Sequence, residues 1–215
     1  MPSVIATGCR LYILTPETLD LRTFPDLLAR ALDVGEVAAV QLRLKNVADD
    51  VWKASADALR PICRSRSVML LLNDRAELVT PTGCDGAHVG QDDIPAREAR
   101  RLMGRGATLG VTCKSSIDLA DRAVADGADY VAFGAFFSST SKRVVHTADP
   151  EILRSWSARE SVPSCAIGGI TASNLAPLVR AGANLLAIIG GVWGDPAGPA
   201  AAVRAINAAI RDAQA

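Results

Sequence analysis

The chain has 215 residues, and its 23 Lys and Arg side chains balance 23 Asp and Glu side chains, so the formal net charge is zero. This balance argues against the strongly basic surface that binds nucleic acids or anionic membranes. No apolar run approaches the roughly 18 residues of a membrane span. Hydrophobic residues make up 49% of the chain, which is ample for a core, and we expect residues 1–215 to form a single domain.

The cysteines bear on the cellular compartment. Five are present, at positions 9, 63, 84, 113 and 165, with no Cys-x-x-Cys pair. An odd number without that spacing predicts neither a disulfide framework nor a zinc site. The first residues lack the pattern of a signal peptide. We therefore expect a cytoplasmic protein with reduced, mostly buried thiols.

Short apolar runs alternate with longer amphipathic stretches along the chain. The runs are CRLYILTP, AAVQLRLK, VMLLLND, GAHVGQ, ATLGVTCK, DYVAFGAFF, VPSCAIGGI and LLAIIGGVW. Several are almost continuously apolar, which is typical of strands buried on both faces of a parallel sheet. Helical periodicity in the intervening stretches is weakest in RAELVTPTGCDG.

Three of the expected helices have clear limits. SIDLADRAVADG stops at Gly127, TASNLAPLVRAGA opens with capping residues and ends at Gly182, and DPAGPAAAVRAINAAIRDAQA is rich in alanine. Eight strand–helix units in a chain of this length predict an α/β fold, a single-domain (β/α)₈ TIM barrel. A doubly wound parallel sheet is the alternative, although it would more naturally use about five or six strands.

In such barrels the active site lies at the carboxyl ends of the strands. Polar residues or glycine pairs follow seven of the eight apolar runs, which a simple exit of the chain from the core does not explain. They are Gln41, Arg43 and Lys45; Asn73 and Asp74; His88, Gln91, Asp92 and Asp93; Thr112 and Lys114; Ser138 to Lys142; Gly168 and Gly169; and Gly190 and Gly191.

The second of these strands carries a cationic face. Gln41, Arg43 and Lys45 alternate, so their side chains share one side of a strand while Leu42 and Leu44 face the helices. An exposed edge strand is the alternative, but a closed barrel has no edge. Arginine and lysine at the barrel mouth suit a phosphate or diphosphate.

Asp74 and Asp93 follow neighbouring strands. Two carboxylates at one point repel each other unless a cation lies between them, and Mg²⁺ is commonly held by one or two carboxylates plus substrate phosphate oxygens. The alternative is that Asp92 or Asp93 only caps the next helix. The spacing leaves both interpretations open.

Glycine pairs in IGGI and IIGG follow strands seven and eight, where barrels often bind phosphate on backbone N–H groups. The loop SSTSK lacks the glycines of a P-loop. His88 lies in an apolar strand and is expected in the core, whereas His146 lies in a polar loop. We recognise no Ser/His/Asp or Cys/His arrangement typical of nucleophilic catalysis, so these residues alone do not identify the reaction.

Six segments together resemble a known family. QLRLK, LLLNDRAELV, DGAHVGQDD, DYVAFGAFFSSTSK, AIGGIT and AGANLLAIIGGV occur in the order and spacing of the thiamine-phosphate synthase (thiamine-phosphate pyrophosphorylase) family. The resemblance implies a (β/α)₈ barrel and a Mg²⁺-dependent transferase. Such an enzyme couples 4-amino-2-methyl-5-hydroxymethylpyrimidine diphosphate to 4-methyl-5-(2-phosphoethyl)thiazole by a dissociative mechanism, giving thiamine phosphate and diphosphate.

The resemblance also implies roles for individual residues. Asp74 and Asp93 match the metal ligands of the family. Small phosphorylated molecules are the expected partners, without nucleic acid or membrane, and a homo-oligomer is left open. The residues matching the pyrimidine-diphosphate site are Gln41, Arg43, Lys45, Asn73, Thr112 and Lys142, of which Arg43, Lys45, Thr112 and Lys142 are expected to be catalytic. Those matching the thiazole-phosphate site are Ser139, Ser141, Gly169, Ile189 and Gly190.

The chain departs from the family pattern in two places. Leu44 stands where Glu is usual, and SSTSK has serines where Thr is usual, with Ser138 where Pro is common. These departures keep open a catalytically degraded barrel that binds thiamine precursors. A thiazole tautomerase of the same superfamily needs no magnesium, and the retained Asp74, Asp93 and Lys142 argue against it.

Overall fold

The computed structural model describes residues 8–138, 148–159 and 161–215. Within these ranges each strand pairs in parallel with the next along the chain, and the last pairs with the first to close a barrel. The expected (β/α)₈ barrel is confirmed, and the doubly wound alternative is wrong. The strands are β1 (Arg10–Leu14), β2 (Val37–Leu42), β3 (Met69–Asn73), β4 (Gly86–Val89), β5 (Thr108–Lys114), β6 (Tyr130–Gly134), β7 (Ser164–Ile167) and β8 (Leu185–Ile188).

Helices connect the strands on the outside of the barrel. The weak segment after β3 forms only a 3₁₀ turn and a four-residue helix, which ends at Gly83 in the left-handed region. The helices are α1 (Phe24–Leu32), α2 (Asp49–Arg64), the 3₁₀ turn (Ala76–Leu78), α3 (Val79–Thr82), α4 (Ala96–Met103), α5 (Ile117–Ala125), α6 (Glu151–Ser157), α7 (Ala176–Arg180), α8 (Gly190–Trp193) and α9 (Pro199–Gln214).

The limits of two helices follow from side-chain hydrogen bonds. The Ser116 hydroxyl accepts from the Leu119 backbone N–H at 3.2 Å, so α5 begins where the sequence predicts. Helix α7 is shorter than expected because Asn174 binds the turn before it. Its carboxamide oxygen accepts from the Thr171 N–H at 2.8 Å, and its nitrogen donates to the Gly169 carbonyl at 2.9 Å.

Alternate residues of each strand point to opposite sides of the barrel wall. One buried cluster fills the barrel interior and includes Tyr12, Leu71 and Tyr130. A larger cluster lies between the wall and the helices and includes Leu42 and Leu44, as expected. Because side chains fill the interior, a ligand must bind at an end of the barrel.

All five cysteines are buried and free of disulfides, as the sequence predicts. Over the described residues, no helix is both long enough and apolar enough to cross a membrane.

Candidate active site at the carboxyl ends of the strands

The apolar run of β3 ends abruptly at Asn73 and Asp74. Asp74 has a φ of 62°, a left-handed conformation that aspartate tolerates better than most residues. Its backbone N–H donates to the His88 carbonyl at 2.8 Å, which attaches the end of β3 to β4. The chain therefore turns sharply at the barrel mouth and leaves the Asp74 carboxyl there.

The Asp74 and Asp93 carboxyls lie close enough for Asp93 to act on the pKa of Asp74. Burial, followed by the hydrogen bond and charge of Asp93, raises the pKa of Asp74 to about 7, although Asn73 and Arg43 oppose the shift. The Asn73 amide nitrogen donates to an Asp74 carboxyl oxygen. The two carboxyls therefore meet in one place, as the strand order predicts.

The capping interpretation of Asp93 is wrong. The residue that precedes the first turn of α4 is Pro95, and no side chain caps this helix. Asp93 instead accepts a hydrogen bond from the Gly90 backbone N–H at 2.7 Å, which fixes its carboxyl beside the end of β4.

The donor set at this point fits Mg²⁺. Two carboxyls are the protein ligands that Mg²⁺ commonly uses when water and substrate phosphates complete its coordination. The pair supplies only two such side chains, since the described residues contain no cluster of three or more His, Cys, Asp or Glu side chains that could hold a metal.

Arg43 and Lys45 lie just beyond the end of β2 rather than within it. The alternation of sides nevertheless continues, because Leu44 is buried in the layer facing the helices. The Arg43 backbone N–H donates to the Thr15 hydroxyl at 2.9 Å, which extends the link between β1 and β2 past the strand. The Arg43 side chain is only 11% exposed, whereas that of Lys45 is 45% exposed.

Glu17 joins these two cations, and the sequence analysis did not identify it. Its carboxylate accepts from the Arg43 guanidinium at 2.8 Å and lies 3.3 Å from the Lys45 ammonium nitrogen. The hydrogen bonds from Arg43 and then Lys45 lower the pKa of Glu17. The signal was available, since Glu17 follows the first apolar run directly, as the other site residues follow theirs.

The turn after β7 requires glycine at both positions. Gly168 and Gly169 have φ values of 107° and 62°, and a Cβ on Gly169 would collide with the backbone oxygen of Ser138. The turn thus packs tightly against the chain leaving β6. Asn174 holds it from the other side, as described above, which the sequence analysis did not foresee.

The backbone at Gly190 faces open space. Apart from its chain neighbours and the backbone of its own helix, no described atom lies within 4 Å of where a Gly190 Cβ would stand. Ile189 precedes it and packs against the barrel interior. A cavity of about 350 Å³ adjoins this turn, lined in part by Thr171, Ser173 and Asp195. A phosphate could therefore approach the backbone at Gly190.

Beneath the mouth, polar side chains cross the barrel interior. His88 contacts the Tyr130 hydroxyl through Nδ1 at 2.9 Å and the Thr112 hydroxyl through Nε2 at 2.7 Å. Tyr130 contacts the Tyr12 hydroxyl at 3.1 Å, and the Gln41 amide nitrogen donates to Tyr12 at 2.7 Å. Burial lowers the pKa of His88 to about 4, so it is neutral at physiological pH. The expectation that His88 is a core residue is confirmed.

The structure brings most of the predicted residues to this end of the barrel. Ser139, Ser141 and Lys142, together with His146, lie outside the described residues. Those it places around the mouth are Gln41, Arg43, Lys45, Asn73, Asp74, Asp93, Thr112, Gly169, Ile189 and Gly190.

Comparisons with known proteins point to one family. Residues 11–192 match the family model described as thiamine monophosphate synthase. The chain is 53% identical over 205 residues to thiamine-phosphate synthase of Rhodospirillum centenum, covering 95% of this chain and 99% of that protein. It is 45% identical over 204 residues to the Hyphomonas neptunium protein of the same name, covering 93% and 92%.

A solved structure shares the fold at comparable coverage. Thiamine phosphate pyrophosphorylase from Pyrococcus furiosus superposes with a TM-score of 0.83 at 25% identity, covering 96% of this chain and 97% of that one. The chain belongs to the thiamine monophosphate synthase family.

Proposed function

We propose that this chain is a thiamine-phosphate synthase, a transferase that couples 4-amino-2-methyl-5-hydroxymethylpyrimidine diphosphate to 4-methyl-5-(2-phosphoethyl)thiazole. The observation that carries the proposal is the meeting of the Asp74 and Asp93 carboxyls near Arg43 at one end of the barrel. In a chain of this family, that arrangement supplies a cation site beside a diphosphate site. The whole chain acts as one domain, and the buried free cysteines support a cytoplasmic location.

The diphosphate binds Arg43 and Lys45, with Asn73 and Lys142 completing the set. Arg43 is well buried, so its charge is poorly hydrated and gains from an anionic partner. Glu17 holds both cations in the structure described here. A diphosphate carries more negative charge than a single carboxylate and can therefore displace it.

Asp74 and Asp93 are the residues that would hold Mg²⁺. When bound there, the ion neutralises part of the charge that develops on the leaving diphosphate. Asn73 and Gly90 position the two carboxyls through the hydrogen bonds described above.

The thiazole phosphate binds on the opposite part of the mouth. Gly190 offers its backbone beside open space and the adjoining cavity, and the sequence match adds Gly169 and Ile189 to this set. Ser139 and Ser141 supply hydroxyls, as the sequence match implies. Binding the phosphate tail here holds the thiazole nitrogen in the mouth, close to the pyrimidine.

The reaction needs charge and positioning rather than a protein nucleophile. The bond between the pyrimidine methylene and the diphosphate oxygen breaks, and its electron pair leaves with the diphosphate, where Arg43, Lys45 and Lys142 stabilise it. The electron-rich aminopyrimidine stabilises the resulting cation, and the thiazole nitrogen attacks the methylene carbon. No catalytic base is required for this substitution, in keeping with a histidine that is buried and neutral.

Detection of thiamine phosphate by mass spectrometry tests the proposal, using purified protein with both substrates and with each omitted. We expect product only when both are present. Tight binding of both substrates without product would instead support a degraded barrel. Isomerisation of a thiazole carboxylate phosphate without coupling would support a tautomerase.

A further inference from the structure

Five side chains form a continuous hydrogen-bonded chain across the barrel interior, from Gln41 through Tyr12, Tyr130 and His88 to Thr112. They come from five different strands, so only the closed barrel brings them together. The two ends, Gln41 and Thr112, belong to the proposed pyrimidine site. The three middle residues have no part in the reaction as described above.

The protons in this chain have one consistent order. The Gln41 amide nitrogen can only donate, so Tyr12 accepts from it. Over the described residues the Tyr12 proton has one acceptor, the Tyr130 oxygen, and the Tyr130 proton then goes to His88 Nδ1. Because Nδ1 accepts this proton in a hydrogen bond, the ring proton of His88 lies on Nε2 and is donated to the Thr112 oxygen.

This order fixes what each end offers to a ligand. The Gln41 amide oxygen is left as an acceptor, and the Thr112 hydroxyl proton is left as a donor. Gln41 is only 2% exposed and Thr112 is half-buried, so water competes little for the Gln41 end of the chain. Reversing one end requires turning the Gln41 amide and moving every proton between the two ends.

We propose that Tyr12, Tyr130 and His88 are positioning residues that hold Gln41 as an acceptor and Thr112 as a donor, and so select a 4-aminopyrimidine over a 4-oxopyrimidine. This inference rests on the proposed function. The amino form of the ring presents an N–H donor beside an unprotonated ring nitrogen, which matches the acceptor and donor at the two ends. The oxo form presents a carbonyl beside a ring N–H, which opposes both.

A kinetic comparison tests the selection. The kcat/KM values for the 4-amino and 4-oxo pyrimidine diphosphates are measured with wild type, Tyr130→Phe and Tyr12→Phe. Each variant removes one hydroxyl and uncouples the two ends of the chain. The amino preference, meaning the ratio of kcat/KM for the 4-amino substrate to that for the 4-oxo substrate, should fall about tenfold or more, since a mismatched buried polar group is costly. A merely structural role would lower both kcat/KM values together and leave their ratio unchanged.

Phe133→Leu is the matched packing control. Phe133 lies on the same strand as Tyr130 and is equally buried, but it belongs to the cluster between the barrel wall and the helices rather than to the interior. We expect its amino preference to stay within about twofold of wild type, as for a packing change outside the site. Thermal melts confirm that each variant is folded before its ratio is interpreted.

The proton order can also be read without catalysis. Nitrogen-15 chemical shifts of His88, distinguished from His146 with a His146→Gln variant, should show a protonated Nε2 and an unprotonated Nδ1 in the wild type. In Tyr130→Phe the two tautomers should mix. A wild type with the proton on Nδ1, or an unchanged substrate ratio in both tyrosine variants, would overturn the inference. A wild type that couples neither substrate would refute the proposed function instead, while the nitrogen shifts would still report the proton order.

Discussion

Replacing Asp74 with Asn should stabilise the metal-free protein at alkaline pH. Burial and Asp93 raise the pKa of Asp74 from its ordinary value of 3.8 to about 7. Between these two values the folded protein holds a proton that the unfolded chain releases. Folding stability therefore falls as pH rises through this window, and the loss is complete above about pH 7.

The structure sets the size of the effect. Moving a carboxyl pKa from 3.8 to about 7 corresponds to roughly 4 kcal/mol of folding free energy. Asp74 is only partly buried, so solvent screening reduces this to about 1–2 kcal/mol. The substituted side chain of the Asp74→Asn variant cannot ionise. The unfolding free energy of Asp74→Asn should therefore exceed that of wild type by near zero at pH 4 and by about 1–2 kcal/mol at pH 8.

Urea unfolding in EDTA at several pH values measures this difference, with Asp92→Asn as the control. Asp92 is an exposed neighbour of Asp93 and should change stability by no more than about 0.5 kcal/mol at any pH. Added Mg²⁺ should then raise the melting temperature of wild type at pH 8 but not that of Asp74→Asn. If the difference in unfolding free energy between Asp74→Asn and wild type were the same at pH 5 and at pH 8, this account of the carboxyl pair would be refuted.

Three further predictions concern catalysis. Asp93→Asn should lower kcat/KM by about 100-fold or more, by analogy with the loss of a charge-stabilising group, whereas Asp92→Asn should retain wild-type turnover within about twofold. Glu17→Gln should tighten binding of the pyrimidine diphosphate about two- to fivefold in calorimetry. The half-exposed Glu17 carboxylate, whose ion pairs contribute about 0.2–1 kcal/mol, then no longer competes for Arg43 and Lys45. Lys142→Ala should slow turnover more than it weakens binding of the thiazole phosphate, measured by steady-state kinetics and calorimetry.

For each of these three predictions, one result would contradict the reasoning. Equal losses in Asp93→Asn and Asp92→Asn would mean that the exposed acidic loop, rather than the carboxyl pair, matters. Weaker diphosphate binding in Glu17→Gln would show that Glu17 orients the cations instead of competing for them. Weaker thiazole binding with normal turnover in Lys142→Ala would place Lys142 in the other pocket.

Much of the fold and part of the candidate site were predictable because they depend on local pattern. Continuous apolar runs define buried parallel strands, and polar residues at their ends define the barrel mouth. The pairing of Asp74 with Asp93 followed from the order of neighbouring strands. The choice between metal ligand and helix cap did not, because it depends on where α4 begins, and Pro95 decides that.

Other features depend on contacts distant in sequence. Tyr12 and Tyr130 each look like ordinary apolar strand residues, and their hydroxyl contact spans 118 positions. Helix α7 starts late because the Asn174 side chain hydrogen-bonds to the backbone of Thr171 and Gly169 and so stabilises a turn instead of the helix. Hydrophobic periodicity does not predict such a local side-chain hydrogen bond.

The most direct test of the central claim is thiamine phosphate formation by the wild-type protein with Mg²⁺, with EDTA, and after Mg²⁺ is restored. The account predicts product with Mg²⁺, none with EDTA, and recovery when the ion is returned. Undiminished product in EDTA would contradict the role of Asp74 and Asp93, and no product with Mg²⁺ would contradict the proposed function.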